Sequence, residues 1–321
     1  MKKYIINRLL VAIPTFLGIT ILAFVLTSLA PGSPIDMLTG DIALSAEEVA
    51  RMEAKLGIDQ PIYIQYFTWL GQLLQGNLGY SYRTGAPVLG MIMERLAPTL
   101  ILTGTSLAIA VLLAVAFGVI AALNPYTVWD YLTSGLSFLA TSTPSFFSGL
   151  VFIYLFAVRL GCLPMGGMYF DNAPKTWGAL GIHLIMPAMA LAFLQMGSLI
   201  RFVRGSMLEV ISEDYIRTAR AKGLRERIII VGHELRNSLI PVVTEIGLQI
   251  PFLVGGAVVA EQVFSWPGIG SLMVNSITAR DYPVVMGITV VIAVAVLLGN
   301  LLVDLLYGVL DPRINHERKE G

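Results

Sequence analysis

The chain has 321 residues, of which 56% are apolar and 13% are charged, and its mean hydropathy is +0.76. Soluble domains contain about 45–50% apolar and about 25% charged residues, so this composition argues against an ordinary soluble enzyme. The 21 basic residues balance the 21 acidic ones, which argues against a nucleic-acid-binding protein, and a single cysteine excludes an internal disulfide framework.

Charge is nearly absent from six long stretches of the chain. They are 9–30, 100–123, 132–158, 184–200, 239–260 and 284–303, and Glu245 is the one charged residue within them. A helix needs about 20 apolar residues to cross the hydrocarbon core of a bilayer; five stretches reach that length and 184–200 is at the short limit. The sequence therefore predicts an all-α polytopic membrane protein with six transmembrane helices.

Basic residues are distributed unevenly between the two sides that six helices define. With the N-terminus in the cytoplasm, the inner segments carry 14 lysines and arginines and the outer segments carry seven. Because cytoplasmic loops are enriched in these residues, the distribution predicts that both termini are cytoplasmic. The longest connection, 31–99, is then extracytoplasmic.

The first helix of this outer segment is marked by its ends. Ser45 and Glu48 have the spacing of a capping box before a helix over 46–56. Gly57 suits the left-handed position that follows a helix. We therefore predict a helical extracytoplasmic domain rather than a simple connection.

A second outer helix is predicted after Pro61. Apolar and aromatic residues recur there at helical spacing, namely Ile62, Tyr66, Trp69, Leu70 and Leu73. We expect this face to lie on the bilayer surface, with docking of a partner as the alternative. Residues 76–79, Gly-Asn-Leu-Gly, are expected to form a turn.

Eight of the 21 basic residues lie in one predicted cytoplasmic segment, 201–238, which we call the basic segment. Ser212 is expected to cap a helix that begins with acidic residues, continues with basic ones and ends at Gly223, an order that suits the helix dipole. Ile216, Ala219 and Gly223 would form a small-residue face that another protein could approach closely. We prefer docking of another protein as the explanation of this segment. The positive-inside rule accounts for its basic residues but requires no capped helix.

Glu245 is the only carboxylate within the predicted spans, and Gln249 follows it by one helical turn. A charged residue at the centre of a membrane helix costs about 2.5–3.5 kcal/mol on insertion scales, so such residues usually face protein or water. The two side chains either line a translocation path or hold helices together through a neutral or hydrogen-bonded carboxyl group. Both interpretations fit the sequence.

The predicted outer segment 261–283 contains a Pro-Gly-Ile-Gly sequence that is typical of a tight turn. Phe264 and Trp266, which precede the turn, suit the aromatic belt at a membrane interface. We expect a compact outer or partly re-entrant loop.

The sequence contains no motif typical of an enzyme. No lysine follows a glycine, so the phosphate-binding loop of ATP-hydrolysing proteins is missing, as is the Gly-x-Ser-x-Gly nucleophile elbow. His233 and Glu234 begin a zinc-protease helix motif, but Asn237 occupies the position of the required second histidine. We expect no catalytic, metal or cofactor-binding residue in this chain.

Several segments resemble the membrane permease subunits of ABC importers for dipeptides, oligopeptides and related solutes. Residues 215–224 (YIRTARAKGL) and 233–241 (HELRNSLIP) are similar to that branch's EAA loop, although Arg217 replaces the glutamate and His233 an isoleucine of the general motif. Residues 264–270 (FSWPGIG) with 280–283 (RDYP) form the most specific match. Residues 8–32, 56–61, 76–81 and 311–313 resemble the first helix, the outer domain and the C-terminal end, with Asn77 where aspartate is usual.

The resemblance covers nearly the whole chain and implies the type I ABC importer permease fold. Residues 1–30 would form the cytoplasmic tail and first transmembrane helix, 31–99 the outer domain, and 100–321 the permease core. Within the core, 201–238 would be the EAA coupling loop and 261–283 the outer loop. The implied location is the plasma, or inner, membrane of a bacterium or archaeon.

The resemblance also implies partners. They are a second, homologous permease subunit, two cytoplasmic ATP-binding subunits and an extracytoplasmic solute-binding protein, all around a chain embedded in lipid. ATP and Mg would be bound by the ATPase subunits, so this chain would hold no cofactor. The EAA helix would dock on an ATPase and drive alternating access.

Each candidate residue has an expected role. Residues for coupling to the ATPase are Tyr215, Ala219, Arg220, Lys222, Gly223 and Leu224. Glu245 and Gln249 are the candidates for the translocation path. Trp266, Pro267, Gly268 and Asp281 would lie near the binding protein.

Peptides are the expected cargo, and a nickel or other metal chelate or glutathione would be carried by the same architecture. A self-sufficient secondary transporter or channel is the alternative from another class. Such a protein would be expected to show more intramembrane ionisable groups or two related halves. This sequence shows one intramembrane carboxylate and no internal repeat.

Overall fold

A computed structural model describes residues 2–29, 35, 45–249, 253 and 257–310. These residues form helices joined by loops, with one isolated antiparallel bridge between Tyr80 and Pro87. The helices are α1 (Lys2–Leu29), α2 (Ala46–Leu56), α3 (Ile62–Leu74), α4 (Val88–Leu123), α5 (Val128–Ser142), α6 (Ser145–Phe152), α7 (Trp177–Ile211), α8 (Asp214–Ala221), α9 (Glu226–Ile229), α10 (Arg236–Gln249), α11 (Val258–Val263), α12 (Ile269–Thr278) and α13 (Tyr282–Leu310). Two π-helical stretches, Ile153–Arg159 and Ile230–Leu235, follow α6 and α9 directly.

The chain divides into two compact units. One comprises Met1–Thr99 and Pro267–Leu298, and the other comprises Leu100–Trp266 and Gly299–Gly321. Helices α4 and α13 contribute residues to both units.

Four of the six predicted spans lie in long apolar helices. The segments long and apolar enough to cross a membrane are Leu10–Leu29, Val88–Leu123, Trp177–Ile211 and Tyr282–Val303. The short stretch 184–200 is thus the middle of a 35-residue helix. The predicted span 239–260 is helical up to Gln249, and most of its remainder, 250–252 and 254–256, lies outside the described residues.

The third predicted span, 132–158, is not one straight helix. Helix α5 ends at Ser142, α6 begins at Ser145, and the two directions differ by 106°. Pro144 explains the break, because proline has no N–H to donate and keeps the residue before it out of the helical conformation. Thr143 is extended accordingly, with φ −87° and ψ 124°.

In the first unit, the ends of α2 confirm the predicted capping pattern. The Ser45 hydroxyl accepts a hydrogen bond from the Glu48 backbone N–H at 3.3 Å, and the Glu48 carboxylate accepts one from the Ser45 N–H at 2.9 Å. Gly57 follows the helix with φ +70°. Both signals are local in sequence, which is why they could be recognised without a fold.

Helix α3 packs on α1 through aromatic side chains. The buried Tyr66 hydroxyl lies 3.0 Å from the Thr20 hydroxyl, and the Tyr66 ring meets Phe24 edge-on at 5.5 Å. Trp69 also contacts Phe24, at 6.1 Å. The prediction that this face lies on the bilayer surface is therefore wrong for Tyr66 and Trp69, because α1 supplies ring partners; Phe67, on another side of α3, is exposed.

In the second unit, α7 packs closely on α4 through small residues. Ala110, Ala114, Gly118 and Ala122 recur every four residues along α4 and contact α7. A Cβ atom on Gly118 would lie 2.7 Å from Cβ of Val203. Small residues at this spacing let two helix backbones approach, which favours packing inside a membrane.

A second glycine allows α5 to approach α7. A Cβ atom on Gly197 would lie 2.9 Å from the carbonyl oxygen of Ser137 and 2.8 Å from Cγ2 of Thr141. The Ser137 hydroxyl donates to the Gly197 carbonyl at 2.6 Å. Helix α7 is therefore in close contact with α4 and α5, and the contact with α4 continues into the first residues of the basic segment.

Candidate coupling segment and translocation path

The basic segment contains a short helix, α8, that is separated from α7 by a two-residue turn. Ser212 ends α7, and its hydroxyl donates to the Glu209 carbonyl at 2.7 Å. The residue before α8 is Glu213, which makes no side-chain cap. The prediction that Ser212 caps the new helix is therefore wrong, because α7 continues to Ile211 and uses that hydroxyl in its own last turn.

The end of α8 agrees with the sequence prediction. Gly223 has φ +72°, and its N–H donates to the Arg220 carbonyl at 2.9 Å. Leu224 donates to the Ala219 carbonyl at 3.4 Å, which completes a common helix-ending arrangement. Since only glycine adopts a positive φ without strain, Gly223 determines where the chain turns away from α8.

The expected small-residue face of α8 is largely covered by the chain itself. Ile216 and Ala219 are buried against Ile229 and Val210, whereas Gly223 is exposed. The interpretation of this face as an open surface is therefore wrong for its first two members. An amphipathic helix of eight residues needs such burial, because helices this short are unstable alone.

The remaining candidate coupling residues lie on the exposed side of α8 and just beyond it. Tyr215, Arg220, Lys222 and Leu224 are all exposed. Ile228 and Val231, two apolar residues that the sequence analysis did not single out, are exposed nearby. This surface combines positive charge with apolar side chains.

Arg220 joins α8 to the helical run that follows it. One of its nitrogens, Nη2, lies 2.8 Å from the exposed Glu226 carboxylate and 2.9 Å from that of Glu234, which is fully buried. Burial raises the pKa of Glu234, and the guanidinium of Arg220 opposes that rise. The hydrogen bond from Arg220 lowers the pKa of Glu226.

Two further groups, Asp130 and Arg204, form an ion pair that the sequence analysis missed. Nε and Nη2 of Arg204 donate to the two carboxylate oxygens of Asp130 at 2.7 and 2.8 Å, and the Tyr126 N–H donates to the same carboxylate at 2.9 Å. The pair links the start of α5 to the end of α7. The sequence contained a signal for this pair. Asp130 is the one charged residue in the predicted cytoplasmic loop 124–131, and the next predicted cytoplasmic loop is rich in possible basic partners.

The path candidates lie on α10, and the structure keeps them on one face. Glu245 and Gln249 are both half-buried. Between them, Gly247 is buried where α10 meets α13, and a Cβ atom there would lie 3.2 Å from Val303. The glycine therefore allows the close contact, whereas Glu245 and Gln249, each two residues away from it, lie on the other side of α10.

Trp266 and Phe264 are buried in the second unit. Trp266 packs among Leu180, Leu191 and their neighbours, and a Cβ atom on Gly166 would lie 2.5 Å from the Phe264 carbonyl oxygen. The aromatic-belt interpretation is therefore wrong for both rings, because each contributes its whole apolar surface to the interior of this unit.

The rest of the predicted outer loop belongs to the first unit. Gly268 is buried and precedes α12, Pro267 is half-buried, and the Ile269 N–H donates to the Thr99 hydroxyl at 2.8 Å. The predicted loop therefore contains a ten-residue helix, α12, and its position outside the membrane stays a prediction.

Asp281 is buried and holds the turn between α3 and α4. Its carboxylate accepts hydrogen bonds from the Ser81 hydroxyl and, at 2.9 Å, from the Tyr82 N–H. The predicted turn at 76–79 forms immediately before Ser81 in the chain, with positive φ at Gly76 and Gly79. The carboxylate of Asp281 therefore organises the chain locally and is not exposed to a partner.

The described residues contain no group of three histidine, cysteine, aspartate or glutamate side chains placed to hold a metal ion. The imidazole of His183 is buried, and its Nδ1 lies 3.0 Å from the Gly166 carbonyl oxygen. That contact places the Nδ1 proton toward the loop before α7.

Comparisons with known proteins agree with this architecture. The oligopeptide transport system permease protein AppB of Bacillus subtilis (strain 168) is 45% identical over 317 residues, which cover 98% of this chain and 100% of AppB. The dipeptide transport system permease protein DppB of Escherichia coli (strain K12) is 39% identical over an alignment of 339 positions, which covers 99% of this chain and 100% of DppB. A crystal structure described as an amino acid ABC transporter with histidines shares the fold with a TM-score of 0.52 at 15% identity, over 68% of this chain and 93% of that one.

Two family models match the chain. The N-terminal model of the binding-protein-dependent transport membrane component matches residues 1–103, and the model of the main component matches residues 114–316. The chain therefore belongs to the family of binding-protein-dependent transport system inner membrane components.

Proposed function

We propose that this chain is the permease subunit of an ABC importer that moves dipeptides or oligopeptides into the cytoplasm. The observation that carries the proposal is the similarity over almost the whole length to AppB and DppB, which are named for oligopeptide and dipeptide transport. Family membership supports the role in transport, and the names of these relatives support the class of cargo.

The proposed topology has six transmembrane helices and both termini in the cytoplasm. Helices α1, α4, α7 and α13 supply four spans, the bent pair α5 and α6 supplies another, and α10 begins the remaining one. Residues 31–99 then form the extracytoplasmic domain. The excess of basic residues in the inner segments supports this orientation.

The proposed partners follow from the same family. A second permease subunit completes the pore, two cytoplasmic ATP-binding subunits hold ATP and Mg, and a solute-binding protein delivers peptide to the outer side. The exposed side of α8 is the proposed contact with an ATPase, and the loop containing Trp266, Pro267, Gly268 and Asp281 lies near the binding protein. Because Trp266 and Asp281 are buried, they would position this loop rather than touch the partner.

Alternating access is the proposed mechanism, and α8 has a suitable structure for it. Its inner face is packed on Ile229 and Val210, so a displacement of α8 by the ATPase is passed to the rest of the basic segment. Packed helices move as rigid bodies between discrete arrangements, and the nucleotide state would bias which arrangement is populated.

Uptake by a reconstituted complex tests the proposed function. The permease would be purified with its second permease, ATPases and binding protein, and placed in vesicles containing ATP. We expect accumulation of a radiolabelled dipeptide or oligopeptide that depends on both ATP and the binding protein. Equal uptake by vesicles that lack the ATPase subunits would contradict the proposal and support a self-sufficient transporter.

Glu245→Ala should reduce peptide uptake by about tenfold, a change of about 1.4 kcal/mol in the transport barrier. The reason is that Glu245 and Gln249 supply the polar strip on the proposed path. The measurement is the initial uptake rate at matched amounts of assembled complex.

Thr244→Ala provides a control, since Thr244 is half-buried on the same helix but one residue out of register with the strip. We expect uptake close to that of the unaltered chain. Unchanged uptake in Glu245→Ala, or loss of complex assembly instead of rate, would favour the structural role of this carboxyl group.

A further inference from the structure

Helix α8 is held to the following helical run by polar contacts as well as by apolar packing. The run consists of α9, the π-helical stretch Ile230–Leu235 and α10, which continue without a break from Glu226 to Gln249. Arg220 donates to Glu234, and the Asn237 side-chain amide donates to the Tyr215 hydroxyl at 3.2 Å. The first contact joins the end of α8 to the run, and the second joins the beginning of α8 to a residue three positions further along the run.

Glu234 differs from the other charged residues of the basic segment because its side chain is 0% exposed. One carboxylate oxygen lies 2.9 Å from Arg220, and the other, Oε2, has no hydrogen-bond partner among the described residues. A buried carboxylate with a single cationic partner depends strongly on that partner, since its separation leaves an uncompensated charge. Arg220 and Glu234 are thus expected to move together.

The place of Glu234 in the run is also unusual. It lies in the π-helical stretch, where the wider turn admits one extra residue relative to an α-helix. Such stretches occur mostly as local irregularities and often mark functional positions. The helix that carries Glu245, α10, begins directly after this stretch.

We propose that Glu234 is a positioning residue whose ion pair with Arg220 transmits displacement of α8 to α10. The inference rests on the proposed function, because it assumes that an ATPase moves α8. Glu226 is not assigned this role, although it contacts the same guanidinium. Its side chain is 56% exposed, and exposed ion pairs contribute little.

The experiment compares Glu234→Gln with Glu226→Gln in the reconstituted complex. Both changes remove one carboxylate from Arg220 while keeping the shape of the side chain. We expect Glu234→Gln to lower the peptide transported per ATP hydrolysed by about tenfold, within the usual range of coupling between sites. Glu226→Gln should stay within about twofold, because its pair is exposed.

Thermal stability distinguishes this proposal from a purely structural role for Glu234, in which the variant would lose transport because it is less stable. Glu234→Gln removes the buried charge itself and leaves Arg220 40% exposed and paired with Glu226, so no buried charge is left uncompensated and the thermal midpoint should not fall. A fall in midpoint that accounts for the lost transport would overturn the inference. The double variant Arg220→Gln with Glu234→Gln should be no more defective than Arg220→Gln alone, and additive losses would also overturn it.

Hydrogen exchange provides a measurement that needs no peptide. In the unaltered complex and in Glu226→Gln, a non-hydrolysable ATP analogue should change the exchange of amides in both α8 and 230–238. In Glu234→Gln the change should be confined to α8. If it reaches 230–238 equally in all three proteins, the inference is wrong; failure of the unaltered complex to transport any peptide would instead contradict the proposed function.

Discussion

Arg204→Met should destabilise the detergent-solubilised protein by about 3 kcal/mol, because it leaves a buried carboxylate without its counterion. The Asp130 side chain is 6% exposed and accepts both of its ionic hydrogen bonds from Arg204. We place the effect at the lower end of the range for buried pairs, since Arg204 itself is 29% exposed. The measurement is the free energy of unfolding, or the thermal midpoint, in one detergent.

Arg217→Met is the matched control for this change. Arg217 also pairs with an aspartate, Asp214, but the two side chains are 75% and 96% exposed. Exposed pairs contribute about 0–1 kcal/mol, so the midpoint should hardly move. Equal shifts in the two variants would contradict the account, and adding Asp130→Asn to Arg204→Met should recover part of the lost stability.

Asp281→Ala should loosen the turn at 79–88 and cost about 3 kcal/mol of stability. The carboxylate accepts hydrogen bonds from the Ser81 hydroxyl and the Tyr82 N–H, and its removal leaves both donors without that acceptor. The thermal midpoint should fall, and amide exchange should accelerate specifically at residues 81–86.

Asp59→Ala is the control for this second change, since Asp59 belongs to the same unit and is exposed. We expect neither a lower midpoint nor faster exchange at 81–86. If Asp281→Ala kept slow exchange there and lost only transport, Asp281 would act in contact with a partner and our structural assignment would be wrong.

For the EAA-like segment, the resemblance and the structure give different information: the first concerns its role and the second concerns which of its residues are exposed. The resemblance predicts that α8 and Gly223 are parts of a coupling element. It did not reveal that Ile216 and Ala219 are covered by Ile229 and Val210. That covering depends on how the chain returns after Gly223, which a helical pattern over eight residues cannot specify.

Features that depend on neighbouring residues were predictable. The capping box at Ser45, the end of α8 at Gly223 and the four long apolar helices all follow from signals within a few turns of chain. Local backbone conformation and the cost of exposing apolar surface decide these features. The break at Pro144 is local too, but the apolar composition around it concealed the change in direction.

The sequence by itself determined that the chain is helical, that it carries apolar helices long enough for a membrane, and where the basic segment lies. Only the tertiary structure decided the partners of the polar groups. Arg204 is 74 residues from Asp130, and Ser81 is 200 residues from Asp281. The same holds for Tyr66 and Trp266, which are buried although their sequence context suits a membrane surface. The reason is physical: an aromatic ring or a carboxylate can be satisfied by lipid, water or protein, and packing decides which of these it meets.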